Sequence, residues 1–348
     1  MPRRLALMCA LALSLSVLPL AGATALAKQP TGCTAGEGLV FFPNPVVSSG
    51  NENLTDQDDA DYAALNNERV SVPLVGLDGS GYLRGTWASV TSGTGDLAHE
   101  TDCTFDYTRH DDRFEQVMAY YWVTTSQLYL RSLGFGVSAN WPAINADQQA
   151  VRIDQWGLDN SFATDHPKDE MRFGKGGVDD AEDAEVILHE LGHQIHFSQS
   201  ATFFASNEAG SVSEGFGDYW AATVTGWALA QAGRPAESDP ACIMDWDSTS
   251  YTAGPVHCLR RLDGTLSYPG GLNGEVHHDG TIWSHALWNL RGAIGANHAD
   301  TAVLWAQFNW TGSTMPDLAS RIVAQVKARY GKGEATKATA AFHERGIL

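Results

Sequence analysis

Between positions 186 and 197 the chain reads VILHELGHQIHF, an apolar run that carries three histidines and a glutamate. His189-Glu190-Leu191-Gly192-His193 has the form H-E-x-x-H. On a helix, positions i and i+4 lie on one face about one turn apart. His189 and His193 therefore present two imidazoles to one tetrahedral zinc. Glu190, beside the first ligand, reaches a water at that metal and serves as its base. Gly192 costs roughly 1 kcal/mol against alanine inside a helix, which makes sense where something must approach that helix closely.

Two histidines leave a zinc site incomplete. The spacing H-E-x-x-H-x-x-G-x-x-H fails, because Gln199 stands at its last histidine and His196 at its glycine. Glu214 follows His193 by 21 residues, in SVSEGFGDYWAA, and Asp218 lies one helical turn further on. A glutamate there completes the zinc site from a second helix. The aspartate accepts the N–H of a ligating histidine and fixes its tautomer. As a fourth ligand His196 would fill the position that water needs, so it is read as a packing residue. Trp220, Trp283 and Trp288 are read as core.

The elements that position these residues follow from periodicity. Phe114, Val117, Met118, Tyr121, Trp122, Thr125, Leu128 and Tyr129 recur at helical spacing, with Gly134 as the stop. AVRIDQW and EMRFGKGG read as strands, and DNSFATDHPKD between them as a polar loop. Asp179, Asp180, Glu182 and Asp183 read as an acidic approach to the HELGH helix that favours the positive end of its dipole. Helices are predicted over 214–229, 281–294 and 317–330, the last closed by Gly331. Before all of these, VFFPNPVV, RVSVPLVGL and YLRGTWASV read as short strands.

Composition bounds the partners. The chain has 348 residues, 43% hydrophobic and 18% charged, with a net charge of -19. The negative charge excludes nucleic acid and anionic membrane surfaces as partners. Arg3 and Arg4, an apolar stretch over 5–20, and Ala25-Leu26-Ala27 form a signal peptide over 1–27, which predicts a secreted protein. Cys9 leaves with that signal. Cys33, Cys103, Cys242 and Cys258 remain, an even number that suggests two disulfides. Of the three pairings, Cys33–Cys103 and Cys242–Cys258 are favoured, because each keeps within one region.

The layout resembles the thermolysin-like and fungalysin-like zinc metallopeptidases. FFASNEAGSVSEGFGD is similar to their second metal-binding motif. GEVHHDGTIWSHALWNLR resembles the fungalysin pattern G-E-V-H-x-x-G-x-x-W, and DNSFATDH their substrate-aligning N-A-F segment. The matches span about 155–291. The resemblance implies an α+β fold with a two-lobed zincin catalytic domain over 113–348. A mixed β-sheet N-lobe would carry the H-E-x-x-H helix, with a mainly α-helical C-lobe and the cleft between 113–197 and 198–348. A small β-rich region over 28–112 precedes it. The resemblance also implies His277 as stabiliser of the oxyanion, with Glu275 in place of the usual acidic partner, where Leu272 stands. Asn160 and Ser161 would line the cleft, and Arg260 or Arg261 would bind near the scissile carbonyl. Glu185, with the neighbouring acids, falls where relatives bind calcium. Ala205 stands where relatives carry a tyrosine; Tyr219 or Tyr268 would take over. The expected activity is that of a secreted zinc metalloendopeptidase acting on peptides or proteins. A zinc aminopeptidase and a binding protein on an inactive peptidase scaffold are the other classes.

Overall fold

The computed structural model describes residues 32–165 and 169–348. The export signal expected over 1–27 lies outside the described residues. The architecture is mixed α and β. In chain order it runs β1 (Ala35–Val40), α1 (Pro45–Ser49), α2 (Ala63–Asn66), β2 (Val70–Val75), β3 (Ala88–Ser92), β4 (Thr104–Phe105), α3 (Arg113–Ser132), β5 (Gln149–Ile153), β6 (Ser161–Thr164) and β7 (Glu170–Phe173). It continues with α4 (Ala184–Gln199), α5 (Asn207–Gln231), β8 (Cys242–Ile243), β9 (Arg260–Arg261), α6 (Val276–Ile294), α7 (Ala296–Gln307) and α8 (Met315–Glu344).

Two sheets hold the first half together. β1 pairs antiparallel with β2, from Ala35↔Val75 to Val40↔Val70, and parallel with β4. The Cys33–Cys103 disulfide ties the chain just before β1 to the residue preceding β4. The second sheet has the order β3-β5-β7-β6. β5 is its parallel centre; Gln149, Val151 and Ile153 are buried and alternate with half-buried Ala150 and Arg152. β3 pairs with β5 in full register, so the 28–112 region contributes a strand to the sheet built by 149–173. α3 packs on strands of both sheets and on α4 and α5. Its residues Phe114, Val117, Met118 and Trp122 are fully buried, so the predicted stripe is a core helix.

Several predicted elements differ from the observed ones. The DNSFATDHPKD loop contains β6, an antiparallel edge strand on β7. All four of its residues are half-buried, so no alternation marks it. VFFPNPVV is not one strand: the chain leaves β1 at Val40, and Asn44 caps α1 with Pro45 inside its first turn. The helix expected over 317–330 does close at Gly331, and what differs is that a second helical stretch of α8 follows it. Gly331 takes φ 88° and ψ 178°, a conformation natural only to glycine, and the chain bends there and resumes helix to Glu344. The small residues Ala299, Ala302 and Ala306 pack α7 without a strong apolar stripe.

The acidic run before α4 is buried, not solvated. Asp183 is the N-cap: its side chain accepts the Glu185 N–H and, at 3.1 and 3.3 Å, the N–H groups of Trp246 and Asp247. Glu182 pairs with buried Arg109 at 2.8 Å and accepts the Trp246 indole N–H at 2.9 Å.

Three helices then meet at glycines. A Cβ on Gly192 of α4 would lie 2.8 Å from the Gly217 Cα of α5, and one on Gly215 would lie 2.2 Å from the Gly280 carbonyl oxygen of α6. These contacts let α5 lie against both neighbours, which sets Glu214 opposite the α4 histidines.

Candidate active site

His189 and His193 lie one turn apart on α4, and Glu214 faces them from α5. His189 Nε2 is 3.2 Å from Glu214 Oε2, and His193 Nε2 is 3.5 Å from Glu214 Oε1. One donor atom from each of the three residues falls within 4.8 Å of the others. The outer ring nitrogens are occupied. His189 Nδ1 sits 2.9 Å from Asp218 Oδ1, and His193 Nδ1 sits 2.8 Å from the Ser213 hydroxyl. Each ring is therefore turned with Nε2 toward the shared centre. Glu214 Oε2 is buried there and faces the His189 and His277 rings. Two imidazole nitrogens and a buried carboxylate oxygen are a donor set that fits zinc.

Burial and the charged neighbours set the protonation of the cluster. Burial opposes a charge on His189, but hydrogen bonding to Asp218 and Glu214 outweighs it and raises the ring to about 10. Burial likewise works against ionised Asp218, yet Arg260 and His189 hold it down to about 2. Glu214 is held well below its ordinary value by the histidines despite its burial. Burial pushes Glu190 up to about 7, with His189 pulling it down and Glu214 pushing it further up. The backbone of Ala163, on the edge strand β6, hydrogen-bonds to Glu190, so the strand that looked like a loop helps to hold this carboxyl.

His277 begins the first turn of α6. Its Nδ1 lies 2.6 Å from Glu275 Oε1 and its Nε2 3.5 Å from Glu214 Oε2. Glu275 is also the N-cap of α6, accepting the N–H groups of His277 and His278. His278 points elsewhere, to the Gly271 carbonyl at 3.1 Å. His196 is outside the donor cluster. Its ring is fully buried and stacks 3.6 Å from Phe203 and 4.3 Å from Phe216.

The cavity beside Glu190 gathers Asn160, Ser161, His189, Arg260 and His277. Arg260 donates to Asp218 through Nε and Nη2, at 2.7 to 2.9 Å. Arg261 is not brought to the cavity. Neighbours on a strand point to opposite faces, and Arg261 faces outward to Asp239 and Asp263. The Cys242–Cys258 disulfide closes the β8–β9 ribbon that carries both arginines.

Neither tyrosine expected to replace the one missing at Ala205 lines this cavity. Tyr219 is buried and donates to Asp300, while Tyr251 is the tyrosine at the cavity wall, its hydroxyl bonded to Asp159. Of the acids expected around Glu185 for calcium, Asp183 lies near it, together with Glu237 and Asp245, and Glu185 itself accepts from Met244 N–H and the Thr225 hydroxyl. Among the described residues, acids also converge at Glu115, Asp154 and Asp179, and at half-buried Asp159 with buried Asp180 and Asp247. Sequence reasoning missed Ser213, Asp247 and Tyr251, and it set Asp180 at the helix dipole and not at this cavity. Of the three, only Ser213, next to Glu214, lies within the SVSEGFGD motif.

No protein-family model matches the chain. It is 28% identical to the extracellular metalloproteinase mep of Aspergillus niger over a stretch that covers 35% of this chain and 20% of that protein. The chain thus spans about a fifth of that relative's length. The fold is similar to that of the precursor of protealysin, a metalloproteinase from Serratia proteamaculans. The TM-score is 0.59, over 75% of this chain and 87% of that one, at 16% identity. With the motifs, these likenesses make the chain one that resembles the thermolysin-like and fungalysin-like zinc metallopeptidases.

Proposed function

We propose that this chain is a secreted zinc endopeptidase. One observation carries the reading: His189, His193 and Glu214 converge within 4.8 Å, and Glu190 and His277 border the cavity beside them. His189, His193 and Glu214 hold the metal, and Asp218 and Ser213 orient the two rings. Bound zinc supplies a Lewis acid that polarises the scissile carbonyl and acidifies water. Glu190 takes the proton of the attacking water and passes it to the leaving amine. Its pKa, raised by burial, suits both directions of transfer. His277, steadied by Glu275, donates through Nε2 to the oxyanion that develops on the carbonyl. Asn160 and Ser161 line the substrate path, and Arg260 keeps Asp218 ionised. The cleft lies between 113–197 and 198–348. The 28–112 region stays in the mature enzyme, because its loss would take β3 out of the sheet. Two disulfides suit the oxidising compartment that export would reach.

Glu190→Ala should keep its zinc, measured by metal analysis, and lose about 10²- to 10⁴-fold in cleavage of an internally quenched peptide. Chelation should abolish cleavage and added zinc restore it. Undiminished turnover by the variant would sink the mechanism. Cleavage confined to peptides with free N-termini would instead indicate an aminopeptidase. Zinc binding without any cleavage would indicate a binding protein on a peptidase scaffold.

A further inference from the structure

The cavity beside Glu190 holds more acidic groups than peptide hydrolysis requires. Asp180 and Asp247 line it, and they are only 2% and 4% exposed. Each has one carboxylate oxygen, Oδ1, that is buried without a hydrogen-bond partner. One oxygen from each of Asp159, Asp180 and Asp247 falls within 4.8 Å of the others. Their remaining contacts are weak or neutral: Ser161 and the Gly174 N–H to Asp180, and Tyr251 to Asp159. The guanidinium at this cavity, Arg260, is already taken by Asp218. Buried carboxylates without partners are costly. Here they open onto the cavity that Glu190 borders. Val186, Met244 and Leu259 line the same space. Apolar walls combined with unpaired acids match a side chain that has an alkyl stem and a cationic head.

We propose that this cavity is a side-chain pocket that selects a lysine or arginine of the substrate beside the scissile bond, with Asp180 and Asp247 receiving the cationic head and Asp159 adding to the field. The assignment rests on the peptidase reading and names its substrate class. The ammonium or guanidinium supplies the donors that the two orphaned oxygens lack. A substrate with leucine leaves both unpaired, and one with glutamate adds a like charge. Discrimination therefore comes from polar groups left unpaired by the wrong residue, which is the strong form of selectivity.

The test uses the full zinc-loaded chain and a set of blocked peptides. They differ only in lysine, arginine, leucine or glutamate at the residue on either side of the scissile bond. At one of the two positions, lysine and arginine should exceed leucine in kcat/KM by about tenfold or more. Asp247→Asn and Asp180→Asn should each cut that ratio by about tenfold. Asp159→Asn, at a partly exposed position, covers the case in which a core variant fails to fold, and should lower the ratio less. A leucine preference, or a basic preference that none of the variants moves, overturns the pocket. If no peptide is cleaved, the peptidase reading falls separately, and the pocket is judged by binding of fluorescent peptides to Glu190→Gln protein. Lysine binding above leucine, lost in Asp247→Asn, then supports it, and equal binding overturns it. Terbium serves as a luminescent stand-in for a divalent cation. Terbium binding that Asp247→Asn abolishes, together with a basic preference that calcium erases, makes the three acids a resident metal site and overturns the proposal.

Discussion

Asp179, Asp180, Glu182 and Asp183 fall within five consecutive positions and are all buried, yet they divide into two kinds. Glu182 and Asp183 are saturated. Glu182 holds Arg109 and the Trp246 indole, and Asp183 caps α4 and anchors the backbone of 246–247. Asp180 instead leaves one oxygen bare at the cavity. Asp179 faces Glu115 and Asp154, and both Glu115 oxygens are buried without a partner. Burial alone thus says little about what an acid does. A saturated acid is structural, whereas a bare one is a demand for charge from outside the fold.

The sharpest way to break this comparison is to convert a saturated acid into a bare one. Arg109→Met should do so at Glu182 and cost about 3–5 kcal/mol, because it strands a fully buried carboxylate. The unfolding midpoint in denaturant reads the loss. Asp183→Ala should cost about 2 kcal/mol, combining a lost helix cap with two backbone N–H groups left unpaired. The opposite sign is expected at Asp179, an acid packed among other acids. Burial and then Glu182 push Asp179 up from 3.8 to about 9. The folded state therefore holds a proton that the unfolded state has lost, and the stability Asp179 contributes below pH 4 falls as pH rises through that interval. Asp179→Asn removes the linkage. In calcium-free buffer it should stabilise the protein at pH 8 by on the order of 1–2 kcal/mol and leave it nearly unchanged at pH 4, as followed by thermal unfolding.

The sequence is legible where chemistry is local, and opaque where tertiary contacts decide. His189 and His193 share a helix face at any H-E-x-x-H, and Glu214 with Asp218 repeats the same one-turn logic on α5. Gly192 signals a close crossing, which proves to be with Gly217. By contrast, Asp180 and Asp247 meet only because α4 is anchored through Asp183 to the 246–247 backbone, a contact between segments more than 60 residues apart. Asp180 reads in the sequence only as part of the acidic approach to α4, and Asp247 lies in no motif at all. The edge strand β6 escapes notice because half-burial erases alternation. Which of Arg260 and Arg261 turns inward depends on the register of a two-residue ribbon, and composition carries no trace of that.

The same ribbon supplies the smallest effect and the control for the rest. Arg261 forms ion pairs with Asp239 and Asp263 at 2.8 Å each, as Arg109 does with Glu182 at the same distance. The Arg261 side chain is 39% exposed and that of Arg109 is 0% exposed. If pairing alone set the energy, removing either arginine would cost alike. If burial multiplies the value of a pair, Arg261→Ala should cost no more than about 0.5 kcal/mol, because water re-solvates both aspartates and salt already screens them. Its unfolding midpoint should shift little, and less still in high salt. A loss at Arg261→Ala comparable with that of Arg109→Met would show that the division between saturated and bare acids rests on pairing geometry and not on desolvation.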